Sequence, residues 1–392
     1  MTDSLFLAWA YIRHNAGRSA VLVLALALIV FVPLATRLVL NAAQTQLTAR
    51  AETTPLMIGA RGSALDLMMN GLYFTDDRPQ TMTMAETERV WDSGFATAIP
   101  LYIRYKASGA PIVGTTLDYF DFRGLKLAEG RNLALLGEAV LGANVATKLN
   151  LGAGDSLISD PENLFDITGG YPLEMQIVGA FAPTNTADDD AIFVDMTTAW
   201  VLEGLGHGHE DVVATDMVLS QTGNEVQASP AVTQFTRITE NNINSFHFHG
   251  DPETYPVSSV VAVPPDQRNA AVLRGRYVGP TVENQIMVPE TVVTGLLATI
   301  FRIGRVLDVI FLIVGAAALV AIALAFYLSL KLRGREVQTA FRLGCHRLTI
   351  ARLLGSEAAI IAILAVILAA AALAATSPFV DDLAVWLVTN QS

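Results

Sequence analysis

Hydrophobic residues are unevenly spread along this chain. Three uncharged apolar runs, Ser19 to Thr36, Val309 to Leu330 and Ala358 to Val380, stand apart from a long mixed segment between the first and the second. Each reaches or nearly reaches the ~20 residues that a helix needs to cross a hydrocarbon core about 30 Å thick, and the pattern predicts three membrane-spanning helices. The first run is longer than the ~7–15-residue core of a cleavable signal and lacks a small-x-small cleavage site with a polar start after it, so it reads as an uncleaved anchor. Ahead of it, Leu5, Ala8, Trp9 and Ile12 recur at helical spacing, which predicts a short interfacial helix. Beyond it, Leu38, Ala42, Gln46 and Ala49 continue the helical pattern, with Pro33 a possible kink. Pro289 suits a first helical position, and Val292, Val293, Leu296, Leu297, Ile300, Phe301 and Gly304 carry one apolar face into the second run. A helix from Pro289 to Leu330 is roughly 60 Å long at 1.5 Å per residue, about twice the hydrocarbon thickness, so both helices are expected to extend outward as a stalk.

Between these helices the pattern is mixed. Leu56 to Gly59, Ala98 to Tyr105, Pro111 to Thr116, Met175 to Phe181, Ala191 to Val194 and Val257 to Val263 read as strands; Met82 to Trp91, Ala143 to Leu149, Thr197 to Leu202 and Pro265 to Leu273 read as helices. Gly152 to Gly154, Asp160-Pro161 and Gly169-Gly170 mark turns. The expected fold is an α-helical membrane part with three transmembrane helices plus an extracytoplasmic α+β domain of two subdomains, one inserted into the other, on a helical stalk. The boundaries are 1–50 for the interfacial helix, first span and stalk, 51–288 for the outer domain, 289–332 for stalk and second span, 333–357 for a cytoplasmic loop, 358–380 for the third span and 381–392 for a short outer tail.

Composition agrees: of 392 residues 52% are hydrophobic and 16% charged, with a mean hydropathy of +0.44, too apolar for an ordinary soluble domain. Charge sets the orientation. Arg13 and Arg18 precede the first span, and Lys331, Arg333, Arg335, Arg342, Arg347 and Arg352 lie between the second and third against only Glu336 and Glu357. By the positive-inside rule these segments are cytoplasmic, although Arg37 and Arg302 fall on the other side. The N-terminus is then cytoplasmic and the large domain periplasmic, in the inner membrane. The net charge of −12 is concentrated in the outer domain, which argues against nucleic acid as a partner. The only cysteine, Cys345, is in the cytoplasmic loop, so the outer domain depends on its core rather than on disulfides.

The loop KLRGREVQTAFRLGCHRLTIARLLGSE, from Lys331 to Glu357, is basic and amphipathic, and such a segment could simply lie on the membrane. Its sequence resembles the loop of MacB/FtsX-like ABC transporter permeases, with Arg335, Glu336 and Val337 at the Arg-Glu-aliphatic start, then Arg342 and Gly344, then Arg347, Ile350 and Glu357 opening the next span. The opening LAWAYIRHNAGRSAVLVLALAL and the outer segments MIGARGS, VGTTLDYF and EAVLGANVATKLNLGAGDSL resemble the same family, as does the order of span, long outer domain, span, loop, span. The resemblance implies a MacB-like periplasmic domain over 51–288 and ATPase coupling through Arg335, Glu336, Arg342, Gly344, Arg347 and Glu357. It further implies a cytoplasmic ABC ATPase dimer carrying ATP-Mg, a second permease copy, membrane lipid, and a periplasmic or outer-membrane partner. The function expected is mechanotransmission for export or extraction of a hydrophobic, lipidated or metal-linked substrate; the alternative is FtsX-type activation of a periplasmic partner without transport. The family usually has a fourth span, whereas Leu383 to Val388 is too short to cross.

No catalytic residue or bound cofactor is expected on this chain. It has no G-x-x-x-x-G-K-[ST], H-E-x-x-H, G-x-S-x-G or C-x-x-C motif. Four of six histidines form two H-x-H pairs, His207 with His209 and His247 with His249, beside Glu210, Asp211 and Asp251. In a strand, positions i and i+2 share a face, so these pairs could offer imidazoles to zinc or copper with the acidic residues orienting them; two solvated loops, or histidines packed around Phe246 and Phe248, are the plainer alternatives. Asp188-Asp189-Asp190 reads as a solvated turn, and Met68, Met69 and Leu72 as core rather than a soft-metal surface.

Overall fold

The structure is a computed structural model that describes residues 2–161, 172–208, 218–222, 225–228, 236–239, 241–279, 282–332, 334, 338, 339, 342 and 346–380. Its described residues divide into two compact units, one drawn from the stretches 2–45 and 296–380, the other from 46–295.

The first unit is helical. Helix α1 (Thr2–His14) leads into α2 (Ala16–Glu52); α9 (Pro289–Leu332) and α10 (Arg347–Thr376) complete it, and α2, α9 and α10 are each long and apolar enough to cross a membrane. Both α2 and α9 run well beyond their uncharged stretches, and Pro289 opens α9 as its sequence position predicts. Helix α10 begins before its uncharged run, so Arg352 and the buried Glu357 belong to it. On α1, Ala8 and Ile12 are buried while Leu5 and Trp9 are half exposed, and Ile12 packs with Leu22 and Ile361. Ala27 of α2 meets Ala365 and Ala369 of α10: side chains this small let helix backbones approach closely, which is how helices associate where lipid removes the hydrophobic drive. Arg37 on α2 pairs with Asp308 on α9 through two bonds of 2.9 and 3.3 Å, so the arginine that departs from the positive-inside pattern carries its own counter-charge. The tail at 381–392 lies outside the described residues.

The second unit is mixed α/β. In chain order it contains β1 (Leu56–Ala60), α3 (Ala64–Tyr73), β2 (Met82–Thr83), α4 (Ala85–Asp92), β3 (Thr97–Ala107), β4 (Ala110–Thr115), α5 (Leu117–Arg123), β5 (Leu127–Gly130), β6 (Glu138–Leu141), α6 (Ala143–Leu149), β7 (Ser156–Ile158), β8 (Glu174–Phe181), β9 (Ile192–Asp195) and α7 (Met196–Leu202). It continues with β10 (Gly206–Gly208), β11 (Val218–Thr222), β12 (Glu225–Ala228), β13 (Phe246–Phe248), β14 (Pro256–Val257), β15 (Ser259–Val263), α8 (Gln267–Gly275) and β16 (Asn284–Met287). Ten strands form one sheet in the order β16-β1-β15-β3-β4-β9-β6-β8-β5, with β7 paired to β8. The eleven-residue β3 joins its halves: Thr97 to Leu101 pair with β15, and Tyr102 to Ala107 pair with β4. Strands β6 and β8 are parallel and are linked through α6, as a parallel pair requires a crossover. Their neighbours need burial on both faces, and β6 and β9 are accordingly apolar and buried almost throughout. Leu67, Met68 and Leu72 of α3 are core residues.

One correction concerns Asp188-Asp189-Asp190. It forms a short 3-10 turn, but Asp188 and Asp189 are buried rather than solvated. Asp189 accepts hydrogen bonds from the backbone N–H groups of Thr184 and Asn185, and Asp188 faces Arg50 in the last turn of α2. The guanidinium donates to both carboxylate oxygens, at 2.6 and 2.8 Å, and to the Tyr119 hydroxyl at 2.8 Å, while that hydroxyl donates to Asp188 at 2.7 Å. Arg50 also lies over the Phe74 ring. Around it, Tyr119, Phe120, Phe181 and Phe193 pack edge-on and tilted at 4.9–6.4 Å between centroids, contacts worth about 0.5–1.5 kcal/mol per pair beyond area burial. Gly142 is needed beside this turn, since a Cβ there would sit 2.3 Å from the Asp188 carbonyl oxygen.

Burial pushes the Asp188 carboxyl up, but the Arg50 guanidinium outweighs it and holds the group below the ordinary carboxylate range. Burial likewise pushes Tyr119 up to about 12, so it remains a neutral donor. Asp188→Asn leaves a buried cation without its counter-charge, which costs about 3–5 kcal/mol. In the detergent-solubilised chain Tm should fall by roughly 6–20 °C, and Arg50→Met with Asp188→Leu should recover much of it. Because the folded pKa of Asp188 is depressed, its contribution is present above the unfolded value of about 3.9 and is lost as pH falls through the lower folded value. The Tm of Asp188→Asn should therefore vary less than wild type on acidification below pH 4.

Candidate functional site

The sequence GHG of β10 lies antiparallel to FHF of β13, with Gly206 opposite Phe248, His207 opposite His247 and Gly208 opposite Phe246. Alternation along a strand then sorts the side chains. Phe246 and Phe248 fall on one face, pack against the domain core, and lie over the glycines opposite them; a Cβ at Gly206 or Gly208 would approach a ring carbon to 2.5 Å. Phe248 continues into Tyr255, which stacks edge-on against Trp200 at 5.0 Å. The histidines take the other face.

The backbone extends the pairing by one residue. His249 N–H donates to the Leu205 carbonyl at 2.9 Å, and the Tyr255 hydroxyl donates to the His249 carbonyl at 3.0 Å. Position 249 is two beyond 247, so its imidazole joins the same face and lies diagonally across from His207. The ring centroids of His207, His247 and His249 form a triangle with sides of 4.7, 4.9 and 4.9 Å, and one ring nitrogen from each lies within 4.8 Å of the others. His247 Nδ1 is 3.1 Å from the Ser245 carbonyl oxygen. A carbonyl only accepts, so Nδ1 is the donor wherever this bond is made.

The structure brings His207, His247 and His249 together on one face, with Phe246 and Phe248 on the other. His209, Glu210 and Asp211 lie outside the described residues. Asp251 caps the turn Pro252–Thr254 by accepting from the Glu253 N–H at 3.1 Å.

The hairpin is attached to the core at both ends. Asp195 caps α7 by accepting from the Thr198 N–H, Trp200 Nε1–H donates to the Pro256 carbonyl at 2.9 Å, and α7 leads through a turn at Gly204 directly into β10.

Of the proposed coupling residues, Arg342 is exposed, Arg347 opens α10 and Glu357 is buried within the helical unit; Arg335, Glu336 and Gly344 lie outside the described residues. The Arg50–Asp188 pair escaped detection in the sequence because its partners are 138 residues apart and neither carries a local motif.

The molecule is thus a membrane-helix protein with one large mixed α/β domain between its first and second apolar helices. Residues 19–238, more than half of the chain, match the family of the MacB-like periplasmic core domain, and the chain belongs to that family. It is a MacB/FtsX-like permease. Among solved structures it is similar to the periplasmic region of MacB from Actinobacillus actinomycetemcomitans, at 11% identity over 62% of this chain and 92% of that one, with a TM-score of 0.35. It is also similar to the extracellular domain of the noncanonic ABC-type transporter YknZ from Gram-positive bacteria, at 11% identity over 59% of this chain and 98% of that one, with a TM-score of 0.33. No curated protein sequence matches it.

The exposed histidines and the packed glycines should respond differently to substitution. His247→Ala and His249→Ala should each leave Tm within about 2 °C of wild type, as exposed positions free of core contacts do. Gly208→Val must displace the Phe246 ring and should lower Tm measurably in the same thermal scan.

Proposed function

We propose that this chain is the permease subunit that couples ATP hydrolysis on a separate cytoplasmic ATPase to a change of shape in its periplasmic domain. The observation that carries the reading is the course of α2. It is one helix from Ala16 to Glu52, its first part belongs to the membrane-type unit, and its last turn is held in the outer domain by the buried Arg50–Asp188 pair. A helix fixed in this way passes on displacement instead of absorbing it. Helix α9 is the return path: its first turns belong to the outer domain, where Val293 is buried, and it continues without a break to Leu332.

Family membership supports an N-terminus in the cytoplasm and a stalk made by the outer parts of α2 and α9. The two stretches of β3, paired to β15 and to β4, support a division of the outer domain into two lobes sharing that strand, the second inserted into the first. In this account Arg335, Glu336, Arg342, Gly344, Arg347 and Glu357 couple the permease to the ATPase, with Glu357 acting from within the helical unit, where it is buried. Among the described residues, no position in the most apolar stretch of α9 is buried. That surface suits lipid or a second permease copy, and supports a dimer working with two ATPase subunits. The substrate class is hydrophobic, lipidated or metal-linked material handled on the outer side. FtsX-type activation of a periplasmic partner would use the same transmission.

The test is reconstitution of the permease with its ATPase in nanodiscs. The wild-type chain should retain the ATPase with trapped nucleotide and alter its turnover, and Arg342→Glu should reduce that effect at least about tenfold while leaving the outer domain's Tm unchanged. A permease that never retains an ATPase, or an Arg342→Glu variant with wild-type stimulation, contradicts the reading.

A further inference from the structure

The three-histidine face is a built feature of the outer domain, and mechanical transmission makes no use of it. We propose that His207, His247 and His249 form a solvent-facing, exchangeable site for a divalent transition metal ion. The proposal does not depend on the coupling mechanism: it concerns what the outer domain binds, whatever drives its motion.

Four observations carry it. The strand register places His207 and His247 directly opposite each other, and alternation adds His249 to the same face. The rings converge to within 4.9 Å of one another, with a ligating nitrogen from each inside 4.8 Å. In a tetrahedral site with Zn–N of about 2.0–2.1 Å, such nitrogens stand roughly 3.4 Å apart, so rotation about side-chain torsions suffices to close the set. The opposite face is locked into the core by Phe246 and Phe248 over Gly206 and Gly208, so the backbone positions of the ligands are fixed before any ion arrives. Finally, the Ser245 carbonyl oxygen lies 3.1 Å from His247 Nδ1, the kind of outer contact that orients metal-ligating imidazoles.

The ligand chemistry selects the ion class. Imidazole nitrogen donors suit Zn²⁺, Cu²⁺, Ni²⁺ or Co²⁺ and disfavour Ca²⁺ and Mg²⁺, which take oxygen ligands. Three protein ligands leave the fourth position of a tetrahedral ion open, as in sites that exchange ligands, whereas structural zinc sites are closed by four. His247 and His249 are exposed and His207 is half-buried, so an ion can enter and leave without opening the fold. A site of this kind on the outer side would receive a metal ion or a metal-bearing ligand, with the open position taken by water or by a donor from the incoming molecule.

Calorimetric titration of ZnCl₂ into the detergent-solubilised full chain tests it, with CoCl₂ as a spectroscopic probe. The expected result is one ion per chain at micromolar or tighter affinity, with the intense visible absorption of four-coordinate Co²⁺. His207→Ala, His247→Ala and His249→Ala should each weaken Zn²⁺ binding at least about tenfold, while His14→Ala and His346→Ala leave it unchanged. Each variant's Tm without metal confirms folding, and the conservative His→Gln series replaces any alanine variant that does not fold. Only millimolar binding by the wild-type chain, or affinity unaltered when all three histidines are replaced together in a folded protein, would overturn the proposal.

Discussion

A buried ion pair between the last turn of a long helix and the domain that follows it is the constraint on which this structure depends. Arg50 and Asp188 are both almost completely enclosed, and taking two charges out of water carries a penalty that only close, multidentate geometry offsets. Here the guanidinium meets both carboxylate oxygens and the Tyr119 hydroxyl, with an aromatic ring beneath it. An apolar contact would hold the helix end with less angular definition. Two parallel hydrogen bonds fix the roll and direction of the helix as well as its position.

The rest of the outer domain can be understood around that anchor. The turn bearing Asp188 is held by Gly142 and α6 on one side, and the aromatic group of Tyr119, Phe120, Phe181 and Phe193 lies on the other. From there the sheet continues through β9, β4 and the long β3 to the strands near the end of the domain, and α7 leaves this core to launch the histidine hairpin. The three histidines therefore sit on a surface whose backbone is set by the same packed interior that holds the helix end.

Much of this was legible in the sequence, and the misses have a common cause. Continuous apolar runs found all three long helices, and Pro289 and the apolar stripe after it found the true start of α9. The helix Ala143–Leu149 and the central strands stood out because their burial imposes a strong local pattern. The strands β5, β6, β7, β10, β13 and β16 did not; at three or four residues they are too short for a periodic signal. The aspartate run was misread because a local run of charge resembles a solvated turn, and its meaning lies in an arginine far away in sequence. The histidines fall between these cases. The i, i+2 spacing of His247 and His249 allowed a shared strand face without requiring it, and their meeting with His207 had no local signal. That GHG faces FHF in register became visible only with the hairpin formed.

The central claim is that α2 conveys motion from the membrane to the outer domain because Arg50 fixes its end there. Pulsed electron spin resonance distances between one label near β1 and one near β8, in the reconstituted permease with its ATPase, measure this directly. The account predicts that trapping ATP shifts the distance distribution in the wild-type chain, and that the shift disappears in a folded Arg50→Met, Asp188→Leu variant that still retains the ATPase. A distribution unmoved by nucleotide in the wild type, or moved equally in both proteins, would contradict it.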